Sequence, residues 1–128
     1  MNPQINAITL GVSDVNRAKQ FYSEGLGCSI EKDYPGFVSF NLGDGSSALA
    51  LYTWDALAND AGVASDGSGF RGIMLNYIVP STEQVDDVLA QAERAGGTIV
   101  KPAQQAQWGG YFGYFTDPDG YLWKVASA

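Results

Sequence analysis

The sequence predicts an α+β protein built from two βαβββ modules in tandem, module one at 4–54, a linker at 55–71 and module two at 72–126. Three observations carry that prediction. The order strand, helix, strand, strand, strand is legible twice along 128 residues. The punctuation repeats with it: Val12 matches Val79, Gly27 falls near Gly97, and Asp44-Gly45 falls near Asp119-Gly120. The size and composition suit one folded domain, with 45% apolar and 12% aromatic residues and too few charges, at 16%, for a disordered chain.

The elements follow in order. Residues 5–12 are β-branched and apolar enough for a first strand. Ser13 and Asp14 offer an N-cap, after which Val15, Ala18, Lys19 and Tyr22 recur at helical spacing until Gly25 and Gly27. Residues 28–31, 37–42 and 48–52 read as three strands, the last two joined by a hairpin turn at Gly43-Asp44-Gly45-Ser46. The linker is rich in Gly, Ser, Asp and Ala, with one helical turn expected at 55–61. Residues 72–79 open module two as a strand. Ser81 and Gln84 form a capping box for a helix whose buried stripe is Val85, Val88, Leu89 and Ala92, stopped by Gly96-Gly97. Strands at 98–100, 111–116 and 121–126 complete the repeat, with Asp117-Pro118-Asp119-Gly120 as the last turn.

Composition also bounds the chemistry. The chain has no histidine, which removes the commonest transition-metal ligand and general acid/base, and with it every His-containing triad or metal site within one chain. One cysteine, Cys28, excludes an intrachain disulfide, and no neighbouring cation cluster marks it as reactive. Fourteen acidic residues against seven basic ones leave a net charge of −7, and the bases are scattered, so nucleic acid is not an expected partner. No apolar run reaches a membrane span and no signal pattern opens the chain, so a soluble, cytoplasmic protein is expected.

Two stretches carry a family resemblance: Thr9-Leu10-Gly11-Val12-Ser13-Asp14-Val15 with Phe21-Tyr22-Ser23-Glu24-Gly25-Leu26-Gly27, and the run from Trp108-Gly109-Gly110 through Asp117-Pro118-Asp119-Gly120-Tyr121-Leu122-Trp123. Together they resemble the vicinal-oxygen-chelate superfamily, which includes glyoxalase I, the bleomycin-resistance proteins and extradiol dioxygenases. The resemblance implies that the modules form a half-open curved sheet and a cleft with the helices outside. It implies a homodimer as well. It also implies a divalent metal held by a His on the first strand and a Glu on the last strand of each module. Here those positions fall on Ala7, Met74, Lys124 and a residue at or near Leu49. None is a family ligand, and an ammonium at Lys124 repels a dication. Shifting the register offers only Asn6, Thr9 or Asn76. Asp117 and Asp119 are carboxylates of a turn that more often bond their own backbone. No metal and no cofactor are therefore expected.

What remains is an apolar cleft with a few polar groups. If the family's ligand positions face it, Ala7, Thr9, Leu49, Leu51, Met74, Asn76, Leu122 and Lys124 line it, and Trp54, Trp108, Tyr111 and Tyr114 are placed to stack on a flat ligand. Lys124 is either a salt-bridged or snorkelling surface amine, an anchor for an anionic or carbonyl group, or a desolvated base or Schiff-base amine. Three functions follow. The first is a metal-free protein sequestering an aromatic or antibiotic-like molecule. The second is a lyase, isomerase or dioxygenase-like enzyme of the superfamily, metal-dependent or using Lys124. The third is a structural or regulatory domain.

Overall fold

A computed structural model describes residues 5–67, 69–71, 73–107 and 109–128. The chain divides into two compact units, Met1–Gly67 and Ser68–Ala128. In the first, β1 (Ala7–Val12) leads to α1 (Val15–Gln20), which runs on into a π-helical turn at Phe21–Gly25. Strands β2 (Ser29–Tyr34), β3 (Phe37–Asn41) and β4 (Ala48–Thr53) follow, then α2 (Trp54–Ala61). In the second, β5 (Met74–Ile78) leads to α3 (Thr82–Arg94), then β6 (Thr98–Gln105), β7 (Tyr111–Thr116) and β8 (Leu122–Ser127). Each unit is thus βαβββ, in the α+β class that the sequence predicts.

The two sheets are wired alike. Their strand orders are β1-β4-β3-β2 and β5-β8-β7-β6. The first strand of each runs parallel to the last, and the other pairs are antiparallel. Equivalent residues pair equivalently: Ala7 opposes Ala48 as Met74 opposes Leu122, and Thr9 opposes Ala50 as Asn76 opposes Lys124.

Local signals hold where they are strongest. Asp14 caps α1, its carboxylate accepting from Arg17 N at 3.2 Å, and Ser81 Oγ accepts from Gln84 N at the start of α3, also at 3.2 Å. In the last turn Asp117 Oδ1 accepts from the backbone N–H groups of Asp119 and Tyr121, both at 2.9 Å, which fixes the loop feeding β8. The stretch read as linker is more structured than expected. Residues 54–61 form a full helix that packs on β1 and β4. Gly11 faces that helix, and a Cβ there would just touch the Trp54 backbone and the Leu57 side chain, both at 3.4 Å.

Each sheet buries one face under its own helix. In the first unit the buried side chains are Leu10, Val12, Val38, Phe40, Leu49 and Leu51, packed with Val15, Ala18, Phe21 and Tyr22. Phe21 and Tyr22 are adjacent, about 100° apart on a regular helix, yet both are buried where the π-helical turn begins. Their rings meet edge to face at 5.0 Å, and Tyr22 reaches Phe40 at 6.0 Å. In the second unit Phe115 and Val125 are fully buried beneath α3, which contributes Val85, Leu89 and Ala92. No helix among the described residues is long and apolar enough to cross a membrane.

Candidate functional site

Residues directly opposed on neighbouring strands share a face of the sheet, so register alone sorts the expected site residues. In the second unit Leu122 stands between Met74 and Thr116. The next row runs Asn76, Lys124, Tyr114, Lys101 across β5, β8, β7 and β6, and the row beyond it runs Ile78, Ala126, Phe112, Gln104. The opposite face belongs to α3, because a Cβ on Gly113 would lie 2.6 Å from Leu89 Cδ1. Met74, Asn76, Tyr114, Leu122 and Lys124 therefore sit together on the face turned away from the helix.

That face is a cationic and aromatic platform. Phe112 and Tyr114 meet edge to face with centroids 6.0 Å apart. Lys124 Nζ lies 5.1 Å from the Phe112 centroid and 5.8 Å from that of Tyr114, and Lys101 Nζ lies 5.1 Å from the Phe112 centroid. These are cation–π distances, which hold both ammonium groups near the rings. Lys101 is a residue that the strand pattern does not reveal. Between Ile99 and Lys101 the register slips by one residue, and this bulge returns Lys101 to the row of Tyr114.

Tyr111 does not join the platform. Its side is that of Gly113, two residues on, and its hydroxyl donates to Asp86 Oδ1 on α3 at 2.7 Å. That hydrogen bond, with lesser help from desolvation and the Asp86 charge, holds the phenol above its ordinary pKa. Trp108 lies outside the described residues.

The first unit corrects the expected wall in one respect. Leu49 and Leu51 oppose Ile8 and Leu10, and Leu49 also opposes Phe40, whose ring touches Tyr22. Both leucines belong to the core under α1, at 1% and 0% exposure, and not to the face of Ala7 and Thr9. The neighbours of Ala7 and Thr9 on that face are Ala48, Ala50 and Ser39. Ser39 Oγ is buried there with no hydrogen-bond partner among the described residues. Trp54 opens α2 beside Gly11, and its indole N–H donates to the Ser65 carbonyl at 2.7 Å, which ties the following loop to the helix.

A divalent metal of the kind the family implies does not fit these residues. By pairing, the counterpart of Lys124 in the first unit is Ala50, one residue from the position the sequence suggests. The four positions then offer two methyl groups, a thioether and an ammonium (Ala7, Ala50, Met74 and Lys124), which is no donor set for a hard or borderline dication. Among the described residues no three His, Cys, Asp or Glu side chains cluster. Cys28 is half-buried, and desolvation pushes its thiol pKa up, away from the thiolate that would bind metal or attack a substrate.

With fold and face described, comparison with known proteins identifies the family. The model of the glyoxalase/bleomycin resistance protein/dioxygenase superfamily matches residues 4–125, and the chain belongs to that superfamily. Among solved structures, a glyoxalase-related enzyme from Fulvimarina pelagi is 30% identical, with a TM-score of 0.89 over 98% of this chain and 88% of that one. A glyoxalase/bleomycin resistance protein/dioxygenase family enzyme from Burkholderia phytofirmans PsJN shares the fold at 21% identity, with a TM-score of 0.86 over 98% of both chains. So does a lactoylglutathione lyase from Agrobacterium tumefaciens, at 21% identity and a TM-score of 0.75 over 100% of this chain and 96% of that one. No curated protein matches the chain.

Proposed function

We propose that this member of the superfamily is a small-molecule binding protein that holds an aromatic or antibiotic-like ligand without a metal. The observation that carries the reading is the presence of Met74 and Lys124 on one open face, where the family's ligands to a metal are expected. Met74 and Leu122 supply apolar contact there, Tyr114 a ring to stack on, Asn76 an amide and Lys124 an anchoring charge. Ala7, Thr9 and Trp54 play the corresponding part on the first unit's face. The ligand would be the only small partner, and nucleic acid would be none. A second copy of the chain is the proposed protein partner. Strand β5 ends its sheet, with Tyr77 47% and Ile78 63% exposed, which favours such an interface.

The relative described as a glyoxalase-related enzyme favours a second reading, a lyase or isomerase using Lys124. Recovery of the ligand separates the two. A compound released from the purified protein by denaturation, then added to fresh protein, is expected to rebind and to be recovered unchanged after prolonged incubation. Its conversion to a new mass by the wild-type chain, and not by Lys124→Ala, would establish the second reading and sink the first.

A further inference from the structure

The row Lys101, Tyr114, Lys124 says more about the ligand than its size. Seven basic residues serve a chain of net charge −7, yet two of them converge on the same aromatic ring from the two strands that flank β7. Each Nζ is 5.1 Å from the Phe112 centroid, so the two nitrogens lie no further apart than twice that distance. Phe112 is itself 9% exposed, and the long stems of the lysines lie on the same face as its ring and that of Tyr114. Two ammonium groups thus stand within 5.1 Å of one ring centroid, on the face that also carries Tyr114. A carboxylate beside that ring is attracted by both charges, while its own ring can lie on Tyr114. A cation at the same place meets two like charges, and a neutral ring gains only the stacking.

We infer that this face selects a planar organic acid, an aryl carboxylate held by Lys101 and Lys124 against Phe112 and Tyr114. The inference rests on the reading that this face takes the ligand. It also assigns a role to Lys101 that neither fold nor family supplies, since the position reaches the row only through the bulge in β6.

A charge series on one ring tests it: 2-naphthoate, 2-naphthamide and 2-naphthamidine, titrated into the protein with amide chemical shifts followed by NMR. The expected result is that naphthoate binds roughly tenfold or more tightly than its amide or amidine. Perturbed amides should fall on 112–116 and 122–126. The preference for the acid should fall about tenfold in Lys101→Gln and in Lys124→Gln and be retained in Lys101→Arg, with the remaining spectrum unchanged as the check on folding. A merely structural cation–π role would leave the ratio of acid to amide unmoved by either Gln variant, and that result overturns the proposal. Equal binding of all three compounds at this face also overturns the proposal while leaving the small-molecule reading intact. Failure of all three to perturb the face overturns both.

Discussion

Gly113→Ala is expected to destabilise the protein by about 1–3 kcal/mol, the cost of forcing a methyl group into a filled space. Gly113 lies on β7, between β8 and β6, with α3 across its face. The added Cβ would come within 2.6 Å of Leu89 Cδ1, 3.1 Å of the Lys101 carbonyl oxygen and 3.2 Å of Ala103 N. A terminal methyl can swing aside, but Leu89 is 6% exposed and has little room, and the two backbone atoms have no rotamer to change. Those atoms belong to the irregular stretch of β6 that carries Lys101, so relief must come from β6 moving off β7. The same substitution is therefore expected to weaken binding of an organic acid as well. Urea unfolding measures the first effect. A change of less than about 0.5 kcal/mol, the range of ordinary surface substitutions, would show that the packing around Gly113 is looser than described.

Phe40→Ala is expected to cost about 3–5 kcal/mol, among the largest single losses available to this chain. The ring is 0% exposed, packed at 6.0 Å from Tyr22, and in register with Leu49. Removing it takes away apolar burial and leaves a cavity that the strand and the π-helical turn, both pinned by backbone hydrogen bonds, cannot close. Thr9→Ala, on the opposite face of the same sheet, is the control and is expected to stay within about 0.5 kcal/mol of the parent. Unfolding midpoints at fixed denaturant sensitivity separate the outcomes. Comparable losses from both substitutions would contradict the assignment of Phe40 to the core and of exposed Thr9 to the opposite face.

The order of elements was legible because local chemistry repeats it: Asp14 and Ser81 before helices, glycines after them, and turns at 43–46 and 117–120. Strand-facing was legible only where nothing shifts the period of two. Thr9, Met74, Asn76, Leu122 and Lys124 keep the expected face. Leu49 and Leu51 lie one residue in register from Ala48 and Ala50, and one residue is enough to exchange the face away from the helix for the core. Tyr111 and Tyr114 stand three apart on one strand and cannot share a face, so only one of them could line the site. Lys101 escaped notice for the opposite reason. Simple alternation from Ile99 puts Val100 beside Tyr114, and the bulge that brings Lys101 there instead leaves no mark in composition, although Pro102 is a residue suited to an edge strand such as β6. Helix α2 was legible only as a single helical turn at 55–61, because Gly- and Ser-rich residues follow it. It buries none of its residues fully.

A face bearing Met74 and Lys124 is expected to work without a metal. Native mass spectrometry of the untagged protein, set against its denatured mass, measures this most directly. The account predicts a dimer whose excess mass is zero or that of an organic compound, displaced on denaturation. A stoichiometric zinc, nickel, iron or manganese ion on each chain would contradict it and make a metal-dependent enzyme the better reading.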